Sequence, residues 1–202
     1  MKINTIRLRA MLGWLAILLP WIVALLGGGI PQSISITYYG STTITPFMII
    51  LGSCSFLLIS YNGYTKVDDI LLTLAGIFGL GICLFPCYHS AYEICGTFNL
   101  PADINQALHV ICAIVFFAIL SYNSFFLFTK GENQPTKNKK IRNIIYRVCG
   151  AGMLASFMLL LLPSFDIQVW LVEAIALFFF GISFLTKADI YPWLFCDTPY
   201  KD

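Results

Sequence analysis

Six runs of predominantly apolar residues, at about 10–30, 44–61, 69–88, 104–128, 144–163 and 167–186, take up most of this chain. Each is close to the roughly 20 residues a helix needs to cross about 30 Å of hydrocarbon. In lipid every backbone N–H and C=O must be satisfied within the spanning structure, and for runs of this length that means helices. The expected fold is therefore all-α, an integral membrane six-helix bundle. With 202 residues, the spans and short connections leave no room for a separate soluble domain, so 1–202 reads as a single transmembrane domain. Composition agrees: 58% of residues are hydrophobic and only 11% charged, against roughly 45–50% and about 25% in soluble domains.

The twelve Lys and Arg residues set the expected orientation. Lys2, Arg7 and Arg9 precede the first run, and Lys66 lies between the second and third. Lys130, Lys137, Lys139, Lys140, Arg142 and Arg147 lie between or at the ends of the fourth and fifth, and Lys187 and Lys201 follow the sixth. The other three loops carry no positive charge, so the positive-inside rule makes both N- and C-termini cytoplasmic. The location that follows is a multi-pass cell membrane protein, in the bacterial cytoplasmic membrane. A cleaved signal peptide is the alternative for the first run, but that run exceeds the usual h-region of about 7–15 residues and lacks an A-x-A-like site. The basic stretch "TKNKKIRN" reads as a topology determinant whose Lys137, Lys139, Lys140 and Arg142 contact anionic lipid rather than nucleic acid. Membrane lipids are the expected partners, with a second copy or another membrane protein as further candidates.

Against this apolar background Glu173 stands out, because a carboxylate inside a span costs about 2.5–3.5 kcal/mol on insertion scales. Counting from the outer boundary places Glu173 six residues into the sixth span, about 9 Å deep at 1.5 Å per residue. His109 lies six residues into the fourth span, at the same level, while His89 and Asp103 lie near the same outer face. Three readings follow. His109 and Glu173 can pair in the bundle interior; they can form a pocket for a polar ligand or lipid headgroup; or His89, His109 and Glu173 can hold zinc and activate water, although no H-E-x-x-H spacing accompanies them. No catalytic residue or cofactor is otherwise indicated, since the chain lacks Gly-rich phosphate loops and serine-nucleophile motifs. A transporter or channel subunit is a further alternative, without the broken-helix pair such proteins often carry. Cys87 and Cys95 flank the outer loop, where a disulfide is feasible in an oxidising compartment. The loop "SISITYYGSTT" (33–43) reads as polar and β-prone.

Several segments together, "SISITYYGS", "ISYNGYTKVDD", "LAGIFGLGICLFP", "SYNSFFLFTKG", "RNIIYRVCG" and "EAIALFFFGISFLTKA", resemble an uncharacterised family of small bacterial six-span membrane proteins. That family is itself distantly similar to the DRAM and Sfk-type membrane proteins. The resemblance covers nearly the whole chain and implies that Tyr38, Tyr39, Tyr61, Tyr64, Arg142, Arg147, Glu173 and Lys187 occupy patterned positions. Tyr38 and Tyr39 accordingly join His109, Glu173, His89 and Asp103 as candidate ligand-binding residues. Ile36 and Thr37 stand where members tend to carry an acid. A fainter similarity is to CREST-type membrane hydrolases, which implies a metal-dependent lipid hydrolase, but their paired-histidine motif in a late span is missing here.

Overall fold

The structure, a computed structural model, describes residues 5–61, 63, 65–130, 136–159 and 168–190. One helix falls in each of the six apolar runs: α1 (Thr5–Leu26), α2 (Ile44–Ile59), α3 (Lys66–Leu84), α4 (Ala102–Tyr122), α5 (Lys137–Met158) and α6 (Val169–Lys187). The strands are two-residue pieces, β1 (Ile94–Cys95) and β2 (Leu100–Pro101), which pair antiparallel with Ile94 opposite Pro101. Among the described residues, four helices are long and apolar enough to cross a membrane: α1, α3, α4 with its continuation to Leu127, and α6. The apolar α2 is shorter, at 16 residues, and α5 begins with the basic run "KNKKIR".

The helix ends depart from the apolar runs for local reasons. The start of α3 lies at Lys66 because Thr65 and Asp68 form a capping box, each side chain taking the other's backbone N–H. Its end comes at Leu84 because the next residue, Phe85, precedes Pro86 and is pushed out of helical space to φ −111°, ψ 94°. The segment expected to be β-prone instead forms a 3₁₀ turn over Ser35–Tyr39. No strand lies beside it among the described residues, and its own hydroxyls satisfy its backbone. Ser33 Oγ accepts from Ile36 N–H (3.0 Å), and Thr43 Oγ1 donates to the Thr37 carbonyl (2.7 Å). At the far end of α4 the last turn widens into a π-turn over Asn123–Leu127. The connection between the fifth and sixth apolar runs, at 160–167, lies outside the described residues, along with Lys2, Tyr64 and Lys201.

Consecutive helices are neighbours, and α6 closes the ring by packing along α1. The α1–α6 seam is antiparallel: Arg9 meets Lys187, Gly13 meets Leu185, Ile17 meets Gly181, and Trp21 meets Trp170 edge-on at 5.6 Å. Close approach here depends on two glycines, since a Cβ on Gly13 would sit 2.5 Å from Leu185 Cγ and 2.9 Å from the Gly181 carbonyl. Inside the ring, Phe47, Phe116, Phe180 and Phe184 are almost wholly buried. The outward faces are apolar as well, with Trp21, Leu25, Phe56, Ile77, Ile114 and Phe178 exposed. The two ends differ. Arg9, Lys130, Lys139, Arg142 and Lys187 gather at one, and the 3₁₀ turn, the β1–β2 loop, His109 and Glu173 at the other.

Candidate functional site

Glu173 and His109 are joined through a third residue rather than to each other. On α6, Glu173 Oε2 accepts the Ile34 backbone N–H at 2.5 Å, and Oε1 accepts from the Ser35 hydroxyl at 3.2 Å. On α4, His109 Nε2 lies 3.0 Å from the same Ser35 Oγ, and Nδ1 lies 2.8 Å from the Phe85 carbonyl. The Trp170 backbone N–H also donates to the Gln32 carbonyl at 3.0 Å. One turn of α6 therefore fastens the start of the α1–α2 loop at two points, while that loop supplies the serine linking α6 to α4. The break in α3 before Pro86 frees the Phe85 carbonyl to receive the imidazole, so helix termination and histidine orientation have one cause.

Hydrogen-bond geometry fixes the proton count. A carbonyl only accepts, so His109 Nδ1 carries a proton and donates to Phe85. Two gaps then remain, from Nε2 to Ser35 Oγ and from Ser35 Oγ to Glu173 Oε1, and the hydroxyl has one proton to fill them. A second proton completes the chain, either on Nε2 or on Oε1, and passing it through Ser35 interconverts the two forms. The array can thus hold and relay one proton. It does not have the arrangement of a hydrolytic triad, in which the acid orients the histidine: here the acid and the histidine share the serine, and a backbone carbonyl orients the ring.

Below this array lies a cavity of about 50 Å³ whose wall includes Ser35, Glu173, Leu51, Phe116, Phe117 and Leu177. Ser35 and Glu173 are its two polar lining residues. Glu173 is half-buried, whereas His109 and Ser35 are buried.

The other candidate residues lie apart from this chain of contacts. His89 is half-buried in an aromatic group, its ring 4.8 Å from Tyr39 and 5.3 Å from Tyr92, and its Nδ1 accepts from Ala91 N–H. His89, His109 and Glu173 do not form one ligand set, and no group of three His, Cys, Asp or Glu residues suited to a metal ion occurs among the described residues. Asp103 is exposed in the first turn of α4, where its charge opposes the helix dipole. Tyr38 packs edge-on against Tyr39 at 5.2 Å. The Tyr39 hydroxyl donates to the Cys87 carbonyl (2.7 Å) and lies 3.3 Å from Cys95 Sγ. Cys87 and Cys95 are free, buried thiols. Burial, reinforced by the Glu173 charge, pushes the Cys87 thiol up to about 12, and burial with the Cys95 contact raises the Tyr39 phenol well above its usual value. Sequence reasoning missed Asn105, whose Nδ2 donates to the Cys95 carbonyl (2.9 Å) and the Leu100 carbonyl (3.2 Å) and so holds the β1–β2 loop. It also missed Ser35, for which the clustering of polar residues in the α1–α2 loop was the available signal.

At the other end the basic run divides. Lys137 and Lys140 are exposed, whereas Lys139 and Arg142 are half-buried and line a concavity. No protein-family model, no curated protein and no solved structure matches the chain.

Proposed function

We propose that the protein is a six-span integral membrane protein of the bacterial cytoplasmic membrane, with both termini cytoplasmic, that binds an uncharged small ligand or lipid head at its outer end without transforming it. Membership of the small six-span family belongs to the same proposal. The membrane reading is supported by four helices of spanning length, by outward apolar faces that water would disfavour, and by the gathering of cations at one end of the ring. The ligand reading rests on one observation: a largely apolar cavity presents a carboxylate and a hydroxyl on its wall. The cavity volume of about 50 Å³ admits a hydrogen-bonding group of a few heavy atoms, such as an alcohol, with any longer hydrocarbon chain outside it. With the second proton on Oε1 the acid is neutral, and with it on Nε2 the carboxylate is balanced by the imidazolium, so the wall suits an uncharged hydrogen-bonding group.

Native mass spectrometry of the protein released from lipid nanodiscs tests this reading. The wild type should retain a small molecule that Ala113→Phe, which adds bulk to the cavity wall from α4, fails to retain. Equal retention by the two proteins, or none by the wild type, would overturn it.

A further inference from the structure

Between α4 and α5 the outward face of the ring carries a groove of about 410 Å³, separate from the cavity beside Glu173 and from the basic concavity. The buried Ser121 and Gly150 lie at its base, and Tyr122, Phe126 and Leu154, each about half exposed, stand along it. The two helices meet at that base. Ser121 Oγ donates to the Gly150 carbonyl (2.5 Å), and a Cβ on Gly150 would sit 2.8 Å from the Ser121 carbonyl oxygen and 2.9 Å from Phe125 Cβ. The serine proton is thereby committed within the protein, and the groove presents hydrocarbon and aromatic surface to whatever lies in it.

Arg147 gives this groove a charged end. It precedes Gly150, Ala151 and Leu154 on α5 at helical spacing, so it lies on the groove face, one turn nearer the basic end. Beyond Arg142 the other exposed residues of α5 are all apolar: Ile144, Val148, Ala151, Leu154, Ala155 and Met158. Arg147 is itself exposed, and among the described residues it enters no hydrogen bond or ion pair. Helix side chains tilt toward the N-terminus, which in α5 is the basic end. A guanidinium placed this way reaches for the headgroup level while the groove continues from it along the hydrocarbon.

We propose that the groove holds an acyl chain of an anionic phospholipid of the inner leaflet, with Arg147 on its phosphodiester; this rests on the membrane reading above. One guanidinium matches the single charge of a phosphodiester, and its planar fork takes two phosphate oxygens. A zwitterionic lipid brings its own ammonium, which competes with the arginine for the phosphate, so a headgroup of net negative charge is preferred. A second copy of the chain fits less well. A two-fold contact would bring both Arg147 side chains to a patch whose lining residues include no carboxylate.

Native mass spectrometry of the full chain in detergent, titrated with phosphatidylglycerol or with phosphatidylcholine, reads the affinity for the first lipid bound. The wild type should bind phosphatidylglycerol more tightly. Arg147→Gln should weaken phosphatidylglycerol binding about tenfold, the loss expected for one charge-assisted hydrogen bond, and leave phosphatidylcholine binding unchanged. Lys137→Gln with Lys140→Gln, which removes two exposed cations of the same helix, should have a much smaller effect. Ala151→Phe, which adds bulk at the groove, should weaken the binding of both lipids. Equal wild-type affinity for the two lipids would overturn the proposal, as would equal weakening by Arg147→Gln and by the lysine pair, or unchanged phosphatidylglycerol binding by Ala151→Phe. A wild-type dimer that Ala151→Phe dissolves would overturn it in favour of a second copy. Alkaline carbonate extraction keeps the premise apart: release from membranes would overturn the membrane reading and this proposal with it, whereas a retained protein without headgroup preference overturns this proposal alone.

Discussion

Replacing Glu173 by leucine and by glutamine separates the structural role of the carboxylate from its charge. Leucine removes the acceptor of the Ile34 N–H, a group on a residue that is only 3% exposed, and one of the two partners of Ser35. An orphaned buried N–H costs about 1–3 kcal/mol, and a lost hydrogen bond to a charged group about 1.5–3. Because the leucine gains apolar contact in the cavity wall, a net loss of about 2–4 kcal/mol is expected. Glutamine acts differently. Its carbonyl can still accept from Ile34, its amide can donate to Ser35 Oγ, and the Ser35 hydroxyl is then released to His109 Nε2. The amide supplies the second proton that the chain requires, so Glu173→Gln should stay within about 1 kcal/mol of the wild type. Unfolding by sodium dodecyl sulfate titration in mixed micelles, followed by tryptophan fluorescence, gives the comparison; Trp170, one turn away and bonded to Gln32, reports on the affected region. A leucine variant as stable as the wild type, or a glutamine variant as unstable as the leucine one, would refute the hydrogen-bond reasoning.

The α1–α6 seam should be intolerant of bulk: Gly181→Leu places side-chain atoms against Ile17 and the Gly13 backbone, and overpacking of this kind should cost about 1–3 kcal/mol or more in the same titration. Asn123 is 1% exposed in the π-turn, and neither side-chain polar atom has a hydrogen-bond partner among the described residues; Asn123→Leu should therefore raise stability by about 1 kcal/mol, and a loss would show that the amide has a partner such as a buried water. Because burial holds Cys87 as a thiol at neutral pH and the thiolate is the reactive form, its alkylation should be slow at pH 7 and accelerate as pH rises toward about 12. Peptide mass spectrometry after timed iodoacetamide treatment measures this, and labelling at pH 7 as fast as that of an exposed cysteine would contradict it.

Much of the architecture was legible along the chain because hydropathy and charge are local properties. Apolar runs locate the six helices, basic residues mark one end, and counting inward along two helices that run in the same direction brings His109 and Glu173 to a common level. Helix ends were less legible: an apolar run does not reveal the Thr65–Asp68 capping box or the way Pro86 acts on Phe85. The 3₁₀ turn was read as β-prone because Ser and Thr hydroxyls satisfy the loop backbone in a way that propensity does not register.

What the sequence by itself determined is the helical framework and its polarity, which follow from what each segment requires of its solvent. Only the tertiary structure decided that Ser35 stands between two residues expected to meet, since that depends on contacts spanning 74 and 138 positions of the chain. Ring closure by the Gly13–Gly181 approach likewise became visible only when α1 and α6 were side by side. The same holds for the basic run, where helical rotation turns Lys139 and Arg142 toward Arg9 and Lys187 while Lys137 and Lys140 remain outside. A hydrogen bond or a charge cluster depends on distances in space, and those are set when the helices pack.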